Sequence, residues 1–169
     1  MAMLSRLALL AALSAGSLPA QQGVGISVTP PLSSAMSLLC GFDCSAVGNT
    51  HQSTVPGGQT VTAVLFGDAG MPGVLMLGLG PTLPSCPGLT LPGIHNSLLI
   101  LPPNLVVSLG VSLAPGARSR CGPTLSGSVA ALSNVQIPPA AAGLTLSWQG
   151  LVFDQGMPAF TRAEEMTVQ

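Results

Sequence analysis

The chain contains the stretch Leu144-Thr-Leu-Ser-Trp-Gln-Gly-Leu-Val-Phe-Asp154. Leu144, Leu146 and Trp148 alternate with polar residues, and side chains two positions apart lie on one face of a β-strand. The alternation therefore predicts a strand with one buried face. After Gly150 both faces become apolar. A glycine at this point predicts a β-bulge or the close approach of another backbone.

The same alternation occurs in the stretch 105–113, where Leu and Val residues occupy every second position. Further strands are predicted at residues 25–28, 36–39, 60–66, 74–79, 97–101, 127–133 and 165–168. Turn sequences rich in Gly, Pro and Asp separate these segments, for example Pro56-Gly-Gly58 and Asp68-Ala-Gly70. This pattern predicts an all-β fold, an antiparallel two-sheet sandwich of the jelly-roll-like or Ig-like kind.

Little helix is expected, since no segment after the N-terminus keeps a 3.6-residue period. Residues 139–143 can form one helical turn at most. Three proline pairs, at 30–31, 102–103 and 138–139, are expected at strand starts or edges, because proline has no N–H for the hydrogen-bond ladder.

The N-terminus has the features of a secretory signal peptide over residues 1–20. Arg6 precedes an apolar run at 7–13, and small residues lead to a cleavage site predicted after Ala20. A buried N-terminal helix and a membrane anchor are the alternatives. Residues 21–169 are then a single secreted domain of 149 residues (169 minus 20) with no predicted transmembrane segment.

Charge is scarce in this predicted mature domain. Charged residues are 5% of the chain, against about 25% in ordinary globular proteins, and no lysine is present. The cations after residue 20 are Arg118, Arg120 and Arg162. A nucleic-acid binder needs a basic stripe, and anionic membrane surfaces need similar clusters, so neither partner is expected.

Four cysteines in an exported chain predict disulfides. Three pairings are possible, and the favoured one joins Cys40 to Cys44 and Cys86 to Cys121, because a five-residue loop containing Gly can close on itself. The two crossed pairings remain open. Zinc would need two short Cys/His pairs, and only one is present. No metal and no cofactor is expected.

Several segments together resemble a group of uncharacterised secreted β-rich proteins common in planctomycetes and related bacteria. The matching segments are Cys40-Gly-Phe-Asp-Cys44, Val74-Leu-Met-Leu-Gly-Leu-Gly80, Cys121-Gly-Pro123, Ile137-Pro-Pro139 and 143–154. The chain departs from the commoner form of the group by adding Cys40 and Cys86. The resemblance covers residues 40–169 and implies an exported β domain, but it implies no known activity.

Candidate catalytic groups are few. His51 and His95 are the only histidines, and both are interpreted as exposed loop residues. Asp154 is interpreted as a turn cap before Gln155-Gly156, Asp68 as part of a hairpin turn, and Glu164-Glu165 as a solvated face. A cleft in which either histidine touches an acid would favour a small hydrolase, because a catalytic triad needs that contact.

Trp148 and Gln149 form a possible ligand platform, because sugar-binding modules stack rings on exposed aromatic side chains. Core packing is the favoured alternative for Trp148, which shares a face with Leu144 and Leu146. The sequence thus predicts a non-catalytic structural or interaction module, secreted, periplasmic or at the cell surface. A carbohydrate- or lipid-binding module is the alternative, and a small hydrolase is the third. Expected partners are an unknown protein, a surface glycan or a second copy of the chain.

Overall fold

A computed structural model describes residues 25–29, 39–40, 50–68, 70–83, 88–113 and 128–169. This part of the chain is all-β, as predicted, with two short 3₁₀ turns at Pro102–Asn104 and Pro139–Ala141. The strands are β1 (Gly25–Thr29), β2 (Leu39–Cys40), β3 (Thr50–Val55), β4 (Thr60–Gly67), β5 (Pro72–Leu79), β6 (Leu89–Thr90), β7 (Ser97–Leu98), β8 (Leu105–Ser112), β9 (Ser128–Gln136), β10 (Thr145–Asp154) and β11 (Met157–Val168).

The described strands form three sheets. One has four strands in the order β2-β1-β4-β9, one has five in the order β3-β11-β10-β5-β8, and β6 pairs with β7. The expectation of purely antiparallel strands is wrong for one described strand pair, because β3 runs parallel to β11 from Thr50↔Ala163 to Val55↔Val168. More than 100 residues separate these strands, so no tight turn forces them to be antiparallel.

The main hydrophobic core lies between the four-stranded and five-stranded sheets. Strand β4 contributes every second residue, Val61, Ala63 and Leu65, and β10 contributes Leu146, Trp148 and Val152. The alternation in both strands follows from the two-residue period of β-structure. Trp148 is the largest of the fully buried side chains, with 1% of its surface exposed.

A second apolar cluster lies on the opposite face of the five-stranded sheet. Met76 and Phe160 of the sheet pack there against Leu98 and Ile100, which belong to the connection between β5 and β8. Residues 88–101 therefore cover the central strands from outside. This cover explains why β10 is apolar on both faces after Gly150, since a strand buried on two sides needs apolar residues on both.

Gly150 lies at a β-bulge, as predicted. The register of β10 against β11 passes from Gln149↔Ala163 to Leu151↔Phe160, so the extra residue is on β11. The Gly150 N–H donates to Thr161 Oγ1 at 2.8 Å. A Cβ at Gly150 would lie 2.5 Å from Leu65 Cδ2, so side chains crowd this glycine, and not the second backbone that was the predicted alternative to a bulge.

The other sequence predictions had mixed outcomes. The helical turn at 139–141 is confirmed, and Pro102 and Pro103 precede β8 as expected. The loop predicted around His51 is wrong, because residues 50–55 form β3. Strand β11 begins at Met157, eight residues before the predicted start.

The signal peptide at 1–20 and Pro30-Pro31 lie outside the described residues. No helix in the described ranges is long and apolar enough to cross a membrane.

The close packing at Gly150 can be tested by substitution. Gly150→Ala should lower the free energy of unfolding by about 1–3 kcal/mol, because the new methyl group overpacks the contact with Leu65 and Thr161. The measurement is urea unfolding followed by the fluorescence of Trp148. Gly110→Ala in β8 is the matched control, since a Cβ there meets nothing within 4 Å. Equal stability of the two variants would contradict the predicted close contact.

Candidate functional site

Trp148 and Gln149 point to opposite faces of β10, and both are buried. Trp148 packs between the two large sheets, and Gln149 lies under the 88–101 cover with no exposed surface. The core interpretation of Trp148 is therefore confirmed. The platform interpretation is wrong for both residues, because a sugar cannot stack on a ring that is enclosed by the core.

Gln149 holds the cover onto the sheet through its side-chain amide. Its Oε1 accepts the Leu99 N–H at 2.8 Å, and its Nε2 donates to Ser97 O and Thr161 O, both at 2.9 Å. Both amide hydrogens and the carbonyl oxygen are thus used. Buried polar groups are tolerated when they are paired in this way. The role of Gln149 is to fix residues 97–99 against β10 and β11.

The orientation of this amide can be tested by one atom exchange. Gln149→Glu places a second carboxyl oxygen toward two backbone carbonyl oxygens, which repel it. We expect the free energy of unfolding to fall by about 3 kcal/mol or more near pH 8, because a buried charge is left without a partner. The loss should shrink in acid, where the protonated carboxyl can donate one hydrogen bond.

The measurement is the free energy of unfolding by urea at several pH values. Gln136→Glu is the control, because Gln136 is exposed in β9 and the charge change is the same. If both variants were equally stable at pH 8, the hydrogen bonds assigned to Gln149 would be incorrect.

Glu164 is the most unusual polar residue of the described chain. It was predicted on a solvated face, and this is wrong, because none of its surface is exposed. It lies in the middle of β11 opposite Trp148 and points between the two large sheets. Its Oε2 accepts the Val28 N–H of β1 at 3.0 Å, and its Oε1 accepts from Ser53 Oγ of β3 at 3.2 Å.

His51 lies beside this carboxyl. It is the register partner of Glu164 in the parallel β3–β11 pair, and its Nδ1 is 3.7 Å from Glu164 Oε1. The His51 side chain is 37% exposed, so the imidazole lies between the buried acid and solvent. No local sequence pattern indicates this contact, because the two residues lie 113 positions apart (164 minus 51).

Burial raises the pKa of Glu164 from 4.5 to about 7. The hydrogen bonds from the Val28 N–H and the Ser53 hydroxyl stabilise the ionised form and lower the pKa, but they do not offset the desolvation of the charge. Glu164 therefore changes protonation near neutral pH, unlike an ordinary carboxyl group.

The cluster has the residue types of a hydrolytic triad but lacks its connectivity. A triad requires the histidine to take a proton from the serine while the acid orients the histidine. Here the Ser53 hydroxyl lies 3.2 Å from Glu164 Oε1 and 3.4 Å from the Glu165 carbonyl oxygen. Those contacts direct Ser53 toward β11, and the enclosed carboxyl cannot meet a substrate. The arrangement is suited to joining strands and exchanging a proton.

Glu165 points to the other face of β11 and is also engaged, contrary to the solvated interpretation. Its Oε1 accepts the backbone N–H of Thr82 at 2.6 Å and the Thr82 hydroxyl at 2.8 Å. Its Oε2 accepts from Gln52 Nε2 at 3.2 Å. Glu165 thus attaches residues 80–83, which follow β5, to the β3 edge of the sheet.

Two further acids lie at the opposite end of β10. The Gln155-Gly156 turn has positive φ at both residues, as a type I′ hairpin requires. Its cap is Asp68, whose Oδ2 accepts the Gly156 N–H at 2.7 Å, so the prediction that Asp154 caps the turn is wrong. The hairpin predicted at Asp68 is also wrong, because β4 and β5 belong to different sheets.

Asp154 is buried, with 5% of its surface exposed. Burial raises its pKa, the negative charge of Asp68 raises it further, and His95 lowers it. His95 was predicted in an exposed turn, but it is half-buried and forms a parallel bridge with Ala159. Both histidines of the chain are therefore associated with a buried acid.

The predicted disulfide residues cannot be placed from the structure. Cys44, Cys86 and Cys121 lie outside the described residues, and Cys40 is described only as a backbone partner of Gly25. Within the described ranges, no three His, Cys, Asp or Glu side chains are grouped so that they could hold a metal ion. The sequence matches no protein-family model and no curated protein.

Proposed function

We propose that this chain is an exported, non-catalytic β module that acts through structural or interaction contacts at the cell surface or outside the cell. In this proposal residues 1–20 are a signal peptide. The two large sheets form a sandwich of the jelly-roll-like or Ig-like kind. The group of secreted β-rich planctomycete proteins remains the proposed family.

The observation that carries this proposal is the use of the polar side chains. Gln149, Glu164 and Glu165 each bind other parts of the fold, and Ser53 is directed toward β11. A catalytic site needs a nucleophile or a base that can reach a substrate. Among these groups the reactive atoms face strands and loops of the protein itself, which supports a structural role.

Exposed apolar side chains supply a surface for contacts. Five of them lie at the end of the five-stranded sheet where β5 ends and β8 and β10 begin. We call this set the apolar rim: Leu79, Leu101, Leu105, Val106 and Leu144. Backbone pairing places its members together, because Leu79 is the partner of Leu146 and Leu105 that of Gly78. Clustered apolar residues on a surface favour association.

The carbohydrate alternative loses the feature that supported it, since Trp148 is buried. The described phenylalanines are buried or half-buried too, so none of the described aromatic residues is exposed. The lipid alternative would use the same apolar rim. An array of glycans and lipid vesicles separates these alternatives from protein contacts, and saturable binding to either would overturn the proposed interaction role.

The association itself can be tested with a second copy of the chain as partner. Light scattering over a concentration series should show self-association that holds or strengthens as salt rises, because apolar contacts carry little charge to screen. Leu144→Ser and Val106→Ser should weaken it, while stability changes by no more than about 0.5 kcal/mol, because both side chains are already exposed.

Met157→Ser is the matched control for the rim variants. Met157 is equally exposed but lies past the far end of β10, about 30 Å from Leu144 at the usual rise per residue. Association that falls steeply with salt would indicate a charged contact site instead. Equal effects of Met157→Ser and Leu144→Ser would remove the rim as the contact surface.

A further inference from the structure

The carboxyl group of Glu164 joins three strands from two sheets. It is carried by β11, it receives the Ser53 hydroxyl of β3, and it receives the Val28 N–H of β1. The registered pairing of β1 with β2 ends at Ile26, so Val28 lies beyond it. One side chain thus links β1 of the four-stranded sheet to the edge strand β3 of the five-stranded sheet.

We propose that Glu164 is a proton-operated clasp: the packing of β1 and β3 against β11 is more stable when its carboxyl group is protonated than when it is ionised, because the ionised group leaves an unsolvated charge in the core. The clasp makes the corner formed by β1, β3 and β11 sensitive to the pH of its surroundings. It is independent of the apolar rim and of the proposed contact function.

The hydrogen bonds can be satisfied in both states. In the protonated state Glu164 Oε1 donates its hydrogen to Ser53 Oγ, and Ser53 donates its own hydrogen to the Glu165 carbonyl oxygen, 3.4 Å away. In the ionised state the Ser53 hydroxyl turns and donates to Oε1. Oε2 accepts the Val28 N–H in either state. The proton that leaves goes to solvent.

The difference between the states is a charge inside the core. Ionised Glu164 faces Trp148 across β10 and β11, where water cannot solvate it. Desolvation of a carboxylate is expensive unless a cation compensates for it. His51 is the basic side chain at hand, but it is partly exposed, and 3.7 Å is too long for a strong hydrogen bond.

Other titratable residues on the packed strands are placed less well to act on Glu164. In β11, Glu165 points to the outer face and binds Thr82. Arg162 lies at the bulge. Strand β10 carries Asp154 at its far end, paired with Met157, and β1 carries no titratable residue. Strand β2 carries Cys40. His51 of β3 is therefore the titratable side chain that lies beside the Glu164 carboxyl group.

The direction of the pH effect follows from burial. The folded protein holds the Glu164 proton up to about pH 7, whereas the unfolded chain releases it near pH 4.5. The stabilisation is therefore complete below about pH 4.5 and is lost as the pH rises through about 7. A pKa difference of this size corresponds to a fall of up to about 300-fold in the folding equilibrium constant.

The test uses Trp148 as reporter, because it is the only tryptophan and the chain has no tyrosine. Its fluorescence in the folded protein should change sigmoidally with pH with a midpoint near 7, and urea unfolding should show the falling stability. Glu164→Gln should abolish the fluorescence transition and most of the stability change, because an amide keeps the hydrogen bonds without titrating.

Asp154→Asn is the matched control, because it removes a second buried carboxyl group at the opposite end of β10. It should keep the fluorescence transition. Ser53→Ala should shift the midpoint of the fluorescence transition to higher pH, because it removes a hydrogen bond to the ionised form of Glu164. This variant also tests the clasp if Glu164→Gln does not fold. A fluorescence transition unchanged in Glu164→Gln, or no shift in Ser53→Ala, would overturn the clasp.

Discussion

The central part of strand β11 is covered on both faces, and this constraint determines what its polar side chains do. The inner face meets the four-stranded sheet, and the outer face meets the cover at 88–101 and the segment at 80–83. A polar group in such a place destabilises the fold unless it is paired. Thr161, Glu164 and Glu165 accordingly bind groups from elsewhere in the chain. Each of these bonds ties β11 to a different neighbour.

Much of the fold could be predicted from sequence where the signal is local. The alternation around Trp148 predicted both the strand and the burial of the indole. The change to apolar residues after Gly150 predicted the bulge, because glycine is what a crowded bend can accept. These features depend on a few adjacent residues and on the two-residue period, so no knowledge of distant contacts was needed.

The candidate site could not be predicted in the same way, because it is made by distant pairing. Residues 50–54 are polar and look like a loop, yet together with Val55 they form an edge strand, where polar residues are tolerated on the exposed side. Glu164-Glu165 looks like a solvated pair, yet alternation sends the two carboxyls to opposite faces, where Glu164 is buried and Glu165 is half-buried and hydrogen-bonded. Only the parallel register with β3 shows that His51 and Ser53 accompany Glu164.

The parallel pair also determines the order in which the chain can assemble. Strand β3 pairs with residues 113 positions later (163 minus 50), whereas β10 and β11 close over a two-residue turn. Local hairpins form quickly, and distant pairing waits for loop closure. During synthesis β3 therefore emerges long before its partner exists. Its sequence, Thr-His-Gln-Ser-Thr-Val, has few apolar residues. An unpaired strand of this composition is a weak template for aggregation while it waits.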